Sequence, residues 1–330
     1  MNKKKTEEVE TKRKTILIFG VSSFVGSNLA EFLSKDYRVI GTFHKNPVRI
    51  DNVLTVPCNV LVNEEVQAVL FSFLPDYTIY AVGLSSVLFC SKNSEMANAL
   101  NTNGLLNVAR FSQRYKSQVV YISSAYVFWG SDKKYVEVDL PNASTDYGKS
   151  KASAEFYLQK SSINYLIFRC SALYGRGLVP IRKTWFEYIQ ENIHKNKNIS
   201  GDDHIQVGHL DAYYLAMIIR ICFEKKVNNR LFQISSSDCM SYCDFAKLYC
   251  QIFNERDDWI VSDKWDFSLH ELGAAKDREV NRCYHLDTSN VENFLNIELP
   301  SVRESLDFTY QRLNGSNVSQ RTSHGGVSYV

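Results

Sequence analysis

Between residues 15 and 170, short runs of apolar, β-branched and aromatic residues alternate with longer stretches in which apolar residues recur every three or four positions. The short runs are typical of buried strands, and the longer stretches are typical of amphipathic helices. The predicted strands are 15–19, 37–43, 52–58, 77–83, 117–124 and 164–170, and the predicted helices are 24–36, 63–74, 94–115 and 144–160. This alternation predicts an α/β fold in which helices cover both faces of a doubly wound parallel sheet.

Beyond residue 175 the regular alternation of predicted strands and helices ends. Helices are predicted at 185–197, 211–226 and 241–253, with one strand at 230–235 between them. This pattern predicts a second, smaller α/β lobe. Residues 1–14 and 313–330 show no such periodicity and are predicted to be mobile tails.

The composition excludes several classes of function. Hydrophobic residues make up 45% of the chain, and 38 basic against 36 acidic side chains give a net charge of +2, so neither a nucleic-acid surface nor a membrane-coating surface is expected. The chain has no apolar run of the roughly 18 residues that a membrane span needs and no signal-peptide pattern, which predicts a cytoplasmic protein. Its eight cysteines lack zinc-site spacing and are predicted to be buried thiols, with no metal site.

Two glycines mark the end of the first predicted strand. Gly20 ends that strand, and Gly26 lies in the first turn of the helix that follows. A turn with little side-chain bulk lets backbone N–H groups and the positive end of the helix approach a pyrophosphate, although an ordinary βα turn has the same appearance. This context predicts a dinucleotide-binding Rossmann domain at 15–175 and a substrate lobe at 176–312 that is partly interleaved with it.

The end of the second strand indicates which dinucleotide binds. An acidic residue there would bind the ribose hydroxyls of NAD, but His44 and Lys45 occupy the position, with Arg49 nearby. Cationic side chains would accept a 2′-phosphate. NADP is therefore the preferred cofactor, and NAD is the alternative.

Tyr147 and Lys151 are four residues apart on a predicted helix and so share one face. A phenol is a poor proton donor at neutral pH unless a positive charge stabilises its phenolate, and the lysine supplies that charge. Ser124 ends the fifth predicted strand at the edge where open α/β sheets bind ligands. The three residues predict a site in which Ser124 holds a carbonyl oxygen while Tyr147 moves the proton.

The runs YISSAYVF at 121–128 and YGKSKASAE at 147–155 resemble the extended short-chain dehydrogenase/reductase family, in its dTDP-4-dehydrorhamnose reductase-like branch. The resemblance covers about residues 15–312 and includes the motif NTNGLLN at 101–107. It implies that Ser124, Tyr147 and Lys151 are catalytic.

The resemblance also implies the residues that contact ligands. The implied cofactor contacts are Gly20, Ser22, Ser23, Phe24, Val25, Gly26, His44, Lys45, Asn59, Val60, Ala81, Val82, Gly83, Asn101, Tyr147 and Lys151. The implied substrate contacts are Ser85, Ser124, Ala125, Tyr126 and Arg176.

The chain departs from the family pattern at several positions. Ser23 stands where the glycine-rich turn usually has its middle glycine, and its side chain either crowds the pyrophosphate or donates to it. Asn59 replaces an aspartate that family members often carry near the adenine. Ala125 and Tyr126 replace the Asp-Glu pair of the dehydratases, so a dehydratase is not expected.

The resulting expectation is an NAD(P)-dependent reductase of a nucleotide-linked keto sugar. A sugar-nucleotide epimerase would use the same three residues and is the alternative among enzymes. A cofactor-binding regulatory subunit without turnover is the alternative from another class. The expected partner is a nucleotide sugar, and a homodimer is left open.

Overall fold

The computed structural model describes residues 13–131, 133–178, 183–265 and 282–315 of the 330-residue chain. The strands are β1 (Thr15–Phe19), β2 (Arg38–Phe43), β3 (Val53–Pro57), β4 (Tyr77–Tyr80), β5 (Gln118–Ser124), β6 (Tyr165–Cys170), β7 (Ala172–Tyr174), β8 (Ile199–Asp202), β9 (Ile205–Val207), β10 (His209–Asp211), β11 (Arg230–Ile234), β12 (Met240–Ser241), β13 (Ile260–Asp263) and β14 (Arg282–Cys283). The helices are α1 (Phe24–Leu33), α2 (Asn63–Phe73), α3 (Val87–Lys92), α4 (Ser94–Asn98), α5 (Gly104–Arg114), α6 (Asp146–Lys160), α7 (Trp185–His194), α8 (Ala212–Glu224), α9 (Tyr242–Phe253), α10 (Ser289–Leu295) and α11 (Val302–Leu313). Most of the two predicted mobile tails, residues 1–12 and 316–330, lies outside the described residues.

Seven parallel strands form the central sheet in the order β3-β2-β1-β4-β5-β6-β11. β1 lies between its two neighbours in register, with Ile16 opposite Val39 of β2 and opposite Tyr77 of β4. The chain runs outward from β1 through β2 and β3, and then returns to β4 on the other side of β1. This order confirms the predicted doubly wound parallel sheet.

Both faces of the sheet are buried. Ile16 and Ile18 of β1 pack with α1 and α8 on one face, while Leu17 and Phe19 pack with α2, α5 and α6 on the other. Side chains alternate between the two faces of a strand, so a strand covered on both sides must be apolar throughout. This requirement explains why TILIF, the sequence of β1, reads as an uninterrupted apolar run.

The seventh strand corrects the prediction for the second lobe. The strand predicted at 230–235 was assigned to that lobe, but β11 pairs in parallel with β6 at the end of the central sheet. The helix before it, α8, packs against α1, with the rings of Phe32 and Tyr213 4.8 Å apart. The chain therefore leaves the sheet after β6 and later returns to it, a path that periodicity alone does not show.

The helix predicted at 94–115 is interrupted. It consists of α4, a π-helical turn at Ala99–Asn103 and α5. A π-helical turn contains an extra residue, which changes the direction of the side chains within it. The short helix α3, which precedes α4, was not predicted.

The second lobe has its own apolar core between α7, α9 and α11. Its strands β7, β8, β9, β10, β12, β13 and β14 are two to four residues long, and periodicity did not predict them because they are too short. The buried carboxylate of Asp211, at the end of β10, accepts from Thr309 Oγ1 and Arg312 Nη2 of α11, both at 2.6 Å. Within the described ranges, no helix is both long and apolar enough to cross a membrane.

The interleaved chain path predicts how a fragment behaves. A fragment of residues 13–175 lacks α8 and β11, so the face of α1 that carries Leu29 and the outer edge of β6 would be exposed to water. We expect this fragment to aggregate or to unfold without a cooperative transition, whereas residues 13–315 unfold cooperatively. Circular dichroism melting and gel filtration of the two fragments test this. A monomeric, cooperatively melting 13–175 fragment would show that α8 and β11 are dispensable.

Candidate active site

The turn after β1 brings backbone N–H groups to the edge of the sheet. Gly20 has a φ of +87°, which favours glycine, and a Cβ at this position would lie 2.9 Å from the backbone carbonyl group of Ala81. Gly20 and Val21 both donate their N–H groups to the carbonyl oxygen of Thr42, at 3.0 and 2.8 Å. The turn therefore lies tightly between β2 and β4, with no space for a larger residue at position 20.

Ser23, which departs from the family pattern, is the N-cap of α1. Its Oγ accepts from the N–H of Gly26 at 3.0 Å, the usual contact of an N-cap side chain. A serine that accepts this bond keeps its own hydroxyl hydrogen for a second partner. Ser23 thus fits the turn by satisfying one of the N–H groups that the first turn of a helix leaves unpaired.

The other residues predicted to contact the cofactor follow successive strands. They are His44 and Lys45 after β2, Asn59 and Val60 after β3, and Ala81, Val82 and Gly83 after β4. Because parallel strands end at one edge of a sheet, all of them lie on the side of the sheet where the turn after β1 lies. His44 and Lys45 are exposed, whereas Asn59 Oδ1 accepts from the N–H of Leu61 at 3.1 Å within its own turn.

Asn101 lies in the π-helical turn and is completely buried. Its Oδ1 accepts from the N–H of Leu84 at 2.9 Å, and its Nδ2 donates to the carbonyl oxygen of Leu84 at 3.1 Å and to Ser150 Oγ at 3.0 Å. Its amide group therefore binds the protein itself. Asn101 was predicted as a cofactor contact, and the structure shows that it ties the segment after β4 to α6.

Of the three predicted catalytic residues, Ser124 ends β5, and Tyr147 and Lys151 lie on α6, which contacts that strand through Lys151. Ser124, Tyr147 and Lys151 are only 7 to 8% exposed. Lys151 Nζ donates to the carbonyl oxygen of Ile122 at 2.9 Å and lies 5.0 Å from the ring centre of Tyr121 and 6.0 Å from that of Tyr147. Burial lowers the pKa of Lys151 to about 8. The ammonium group therefore sits within reach of the phenol ring, in surroundings that disfavour its charge.

The start of α6 makes direct backbone contact with the turn after β5. A Cβ at position 148 would overlap the carbonyl oxygen of Tyr126, so only glycine fits there. Thr145, the N-cap of α6, accepts from the N–H of Gly148 through its Oγ1 at 3.0 Å. These contacts fix the part of α6 that carries Tyr147 against the turn that follows Ser124.

Two residues near the site were not identified from the sequence. The ring of Tyr284 lies 4.6 Å from that of Tyr126, which in turn lies 6.1 Å from the ring of Tyr147. Cys170, at the end of β6, is a neighbour of Lys151, and burial raises the pKa of its thiol to about 12. Cys170 was predicted only as a buried thiol. Tyr284 follows a two-residue strand whose short sequence carries no periodic signal.

The residues predicted to contact substrate are more dispersed. Ser85 is exposed just before α3, and Ala125 is buried in the 3₁₀ turn after β5. Arg176 is exposed, and its Nη2 donates to Gln190 of α7 at 3.3 Å beside a cavity of about 340 Å³. That cavity is lined by residues of the second lobe. Arg176 therefore lies next to an open space, which Ser124, Tyr147 and Lys151 do not line.

The doubly wound sheet and the tight turn after its first strand define a Rossmann-type α/β protein. The family model of the RmlD substrate binding domain matches residues 14–314. The chain therefore belongs to the RmlD substrate binding domain family.

Similar proteins include the β subunit of methionine adenosyltransferase 2 from Bos taurus, which is 26% identical over 171 residues, or 51% of this chain and 50% of that protein. The dTDP-4-dehydrorhamnose reductase of Aggregatibacter actinomycetemcomitans is 27% identical over 186 residues, or 54% of this chain and 62% of that protein. The chain thus spans about half to three fifths of the length of these relatives. The fold resembles that of the dTDP-4-dehydrorhamnose reductase from Bacillus anthracis in complex with NADP, with a TM-score of 0.77, 20% identity, and coverage of 91% of this chain and 99% of that one.

The buried lysine predicts a stability effect. The pKa of Lys151 is about 8 in the folded protein and 10.5 ordinarily, so between these pH values the unfolded chain holds more protons and stability rises with pH. Lys151→Met removes this penalty, roughly 3 kcal/mol below pH 8, and loses one hydrogen bond of about 1 kcal/mol. We expect a melting temperature a few degrees higher at pH 7 and a weaker rise toward pH 10.

Lys149→Met serves as the control, because Lys149 is exposed on the same helix. Its melting temperature should follow that of the parent protein at every pH. A Lys151→Met variant that melts below the parent at pH 7 would show that the ammonium group stabilises the fold.

Proposed function

We propose that the protein is an NADP-dependent reductase of a nucleotide-linked keto sugar. The observation that carries this proposal is the position of Lys151 on α6, whose Nζ donates to the carbonyl oxygen of Ile122 in β5 at 2.9 Å and lies 6.0 Å from the ring centre of Tyr147. Ser124 ends the same strand two residues later, on the edge of the sheet where the turn after β1 lies. Membership of the RmlD substrate binding domain family and the likeness to a dTDP-4-dehydrorhamnose reductase support it. The residues assigned above as cofactor and substrate contacts are part of the same proposal.

The residues present fit a dinucleotide. The N–H groups of Gly20 and Val21 are bonded to Thr42, but the turn leads into the start of α1, where a helix leaves N–H groups unpaired. Gly20 has no space for a side chain, and the Ser23 hydroxyl keeps a hydrogen to donate. In this proposal the turn holds the pyrophosphate, and Lys151 holds the ribose next to the nicotinamide. The reduced nicotinamide, when bound, supplies the hydride for the carbonyl carbon.

Side chains of this protein then bind and protonate the carbonyl oxygen of the substrate. Ser124 Oγ accepts from the N–H of Tyr126 at 3.2 Å, which leaves its hydroxyl hydrogen to donate to the oxygen of the substrate. Tyr147 gives its phenolic proton to the same oxygen. The ammonium group of Lys151 stabilises the phenolate that remains. Burial of the three groups excludes water, so these interactions are stronger than they would be at the surface.

The preference for NADP rests on the residues after β2. His44, Lys45 and Arg49 are exposed beyond the end of that strand, and no acidic residue lies among them. A cationic surface at this place suits the 2′-phosphate of the adenosine ribose. The Bacillus anthracis structure with the same fold contains NADP.

The first test concerns this preference. We expect the protein to bind NADPH at least several-fold more tightly than NADH in calorimetry, because the phosphate pairs with the cationic side chains. Lys45→Glu should weaken NADPH binding and leave NADH binding nearly unchanged. Lys160→Glu, exposed at the end of α6, is the control and should alter neither. Equal dissociation constants for the two cofactors in the parent protein would refute the preference.

The second test concerns Tyr147. Tyr147→Phe removes the proton donor and keeps the ring, so turnover should fall by about 10²- to 10⁴-fold while folding and NADPH affinity stay close to those of the parent. Tyr157→Phe, a partly buried tyrosine on the same helix, should retain full turnover. The measurement is the oxidation of NADPH with sugar nucleotides that a thermal-shift screen identifies as ligands. If Tyr147→Phe turns over as fast as the parent, Tyr147 is not the proton donor.

A second candidate function is a cofactor-binding subunit without turnover. It is favoured by the similarity to the β subunit of methionine adenosyltransferase 2, which is named as a subunit. In that case the protein would bind another subunit of a methionine adenosyltransferase, and Tyr147→Phe would bind it equally well. Co-elution with such a subunit in gel filtration, together with no NADPH oxidation on any sugar nucleotide, would favour this candidate over the reductase.

A further inference from the structure

A buried polar network lies directly beneath the candidate active site, and Glu155 is at its centre. Glu155 on α6 has no exposed surface, and Arg169 on β6 is 2% exposed. Arg169 donates to both carboxylate oxygens, with Nε at 3.1 Å from each and Nη2 at 2.8 Å from Oε2. Each side chain thus neutralises the charge of the other in the buried interior.

Stability alone does not explain this ion pair. The cost of removing two charges from water often exceeds their attraction, and apolar residues of similar volume frequently serve a fold as well. Two neighbours of Glu155 connect the pair to the proposed active site: Ser123, which precedes Ser124, and Lys151, which belongs to the site.

The first neighbour is Ser123. Its Oγ donates to Glu155 Oε1 at 2.5 Å. Ser123 directly precedes Ser124, the last residue of β5. The bond therefore holds the end of β5 against α6 and fixes the backbone from which the Ser124 side chain extends.

The second neighbour is Lys151, one helical turn before Glu155. Burial lowers the pKa of Lys151, while Cys170, Glu155 and Cys90 act in the opposite direction. Cys170 is a neutral thiol near pH 7, because burial raises its pKa to about 12. The rings of Tyr121 and Tyr147 also lie near the ammonium group, and the Glu155 carboxylate is itself paired with Arg169. Glu155 is therefore the acidic side chain that favours the charged form of Lys151.

We propose that Glu155, held by Arg169, is a positioning residue that orients Ser124 through Ser123 and keeps Lys151 protonated. This inference rests on the reductase function proposed above. The Glu155 carboxylate does not touch the reacting atoms, so it acts through Ser124 and Lys151, the residues proposed to contact substrate and cofactor.

The experiment compares three variants with the parent protein. Glu155→Gln keeps the shape of the side chain and removes its charge, and the double variant Glu155→Leu with Arg169→Met replaces the pair by apolar residues. Ser123→Ala removes only the hydrogen bond between Ser123 of β5 and Glu155 of α6. Asp258→Asn, which removes one carboxylate from an exposed pair with Arg256, is the control. Circular dichroism melting first establishes which variants fold.

The readout for charge is the titration of Lys151, followed by ¹³C NMR of the lysine ε-carbons and assigned by the signal missing in Lys151→Met. We expect its midpoint to fall by about half a unit to one unit in Glu155→Gln, which leaves the charge of Arg169 unpaired, and to fall less in the double variant, which removes both charges. It should stay unchanged in Ser123→Ala and Asp258→Asn. An unchanged midpoint in a folded Glu155 variant would overturn the role in protonation.

The readout for position is turnover. Ser123→Ala should lower kcat at least several-fold with little change in KM, because the substrate still binds while Ser124 is misdirected. Parent-like kcat in Ser123→Ala would overturn the role in orientation. If none of the sugar nucleotides tested supports NADPH oxidation by the parent protein, the reductase proposal fails by itself. The NMR titration then still decides whether Glu155 controls the charge of Lys151.

Discussion

The arrangement of the candidate site depends on how closely α6 approaches the turn after β5. The backbone of Gly148 lies against the carbonyl oxygen of Tyr126, at a separation that excludes any Cβ. This contact places Tyr147 and Lys151 over the end of the strand that carries Ser124. The bonds from Asn101 to Ser150 and from Arg169 to Glu155 then hold the same helix from two further directions. A helix displaced by the width of one methyl group would separate all of these pairs.

The same packing makes the site costly to maintain. Lys151 is charged in a region where burial disfavours charge, and the carboxylate of Glu155 is paired with a guanidinium out of contact with water. Natural proteins tolerate such groups where function requires them and compensate with an apolar core elsewhere. Here the compensation comes from the two apolar layers on either side of β1. The stability of the sheet therefore supports an active site that lowers it.

Much of the fold could be predicted because its central strands are long, apolar and separated by amphipathic helices. β1 was predicted with the observed bounds, and α6 began within two residues of the predicted position. The return of β11 to the central sheet could not be predicted, since strand partners are set by the path of the chain in space. The seven short strands of the second lobe carry too few residues for a period to appear.

The candidate site, too, could be predicted only in part. Tyr147 and Lys151 could be paired from their spacing, because i and i+4 share a face of any helix. The role of Asn101 could not be predicted, since the π-helical turn redirects its side chain toward Leu84 and Ser150. Tyr284 is distant in sequence and reaches Tyr126 only through the packing of the second lobe. The structure places Lys151 beside the ring of Tyr147 and against β5, the strand that Ser124 ends, and the catalytic roles of the three residues stay predictions.

Because the chain returns to the central sheet with β11, this strand forms one edge of the sheet. β11 is an edge strand, and such edges invite strands from other molecules to add to them. The carboxylate of Glu137 accepts the N–H of Gln233 on this strand at 3.1 Å, and Arg169 holds the Glu137 carbonyl oxygen at 3.2 Å. A negatively charged side chain thus occupies a position that a neighbouring backbone would need. The segment around Glu137 protects the sheet from intermolecular strand pairing, and with it from growth into aggregates.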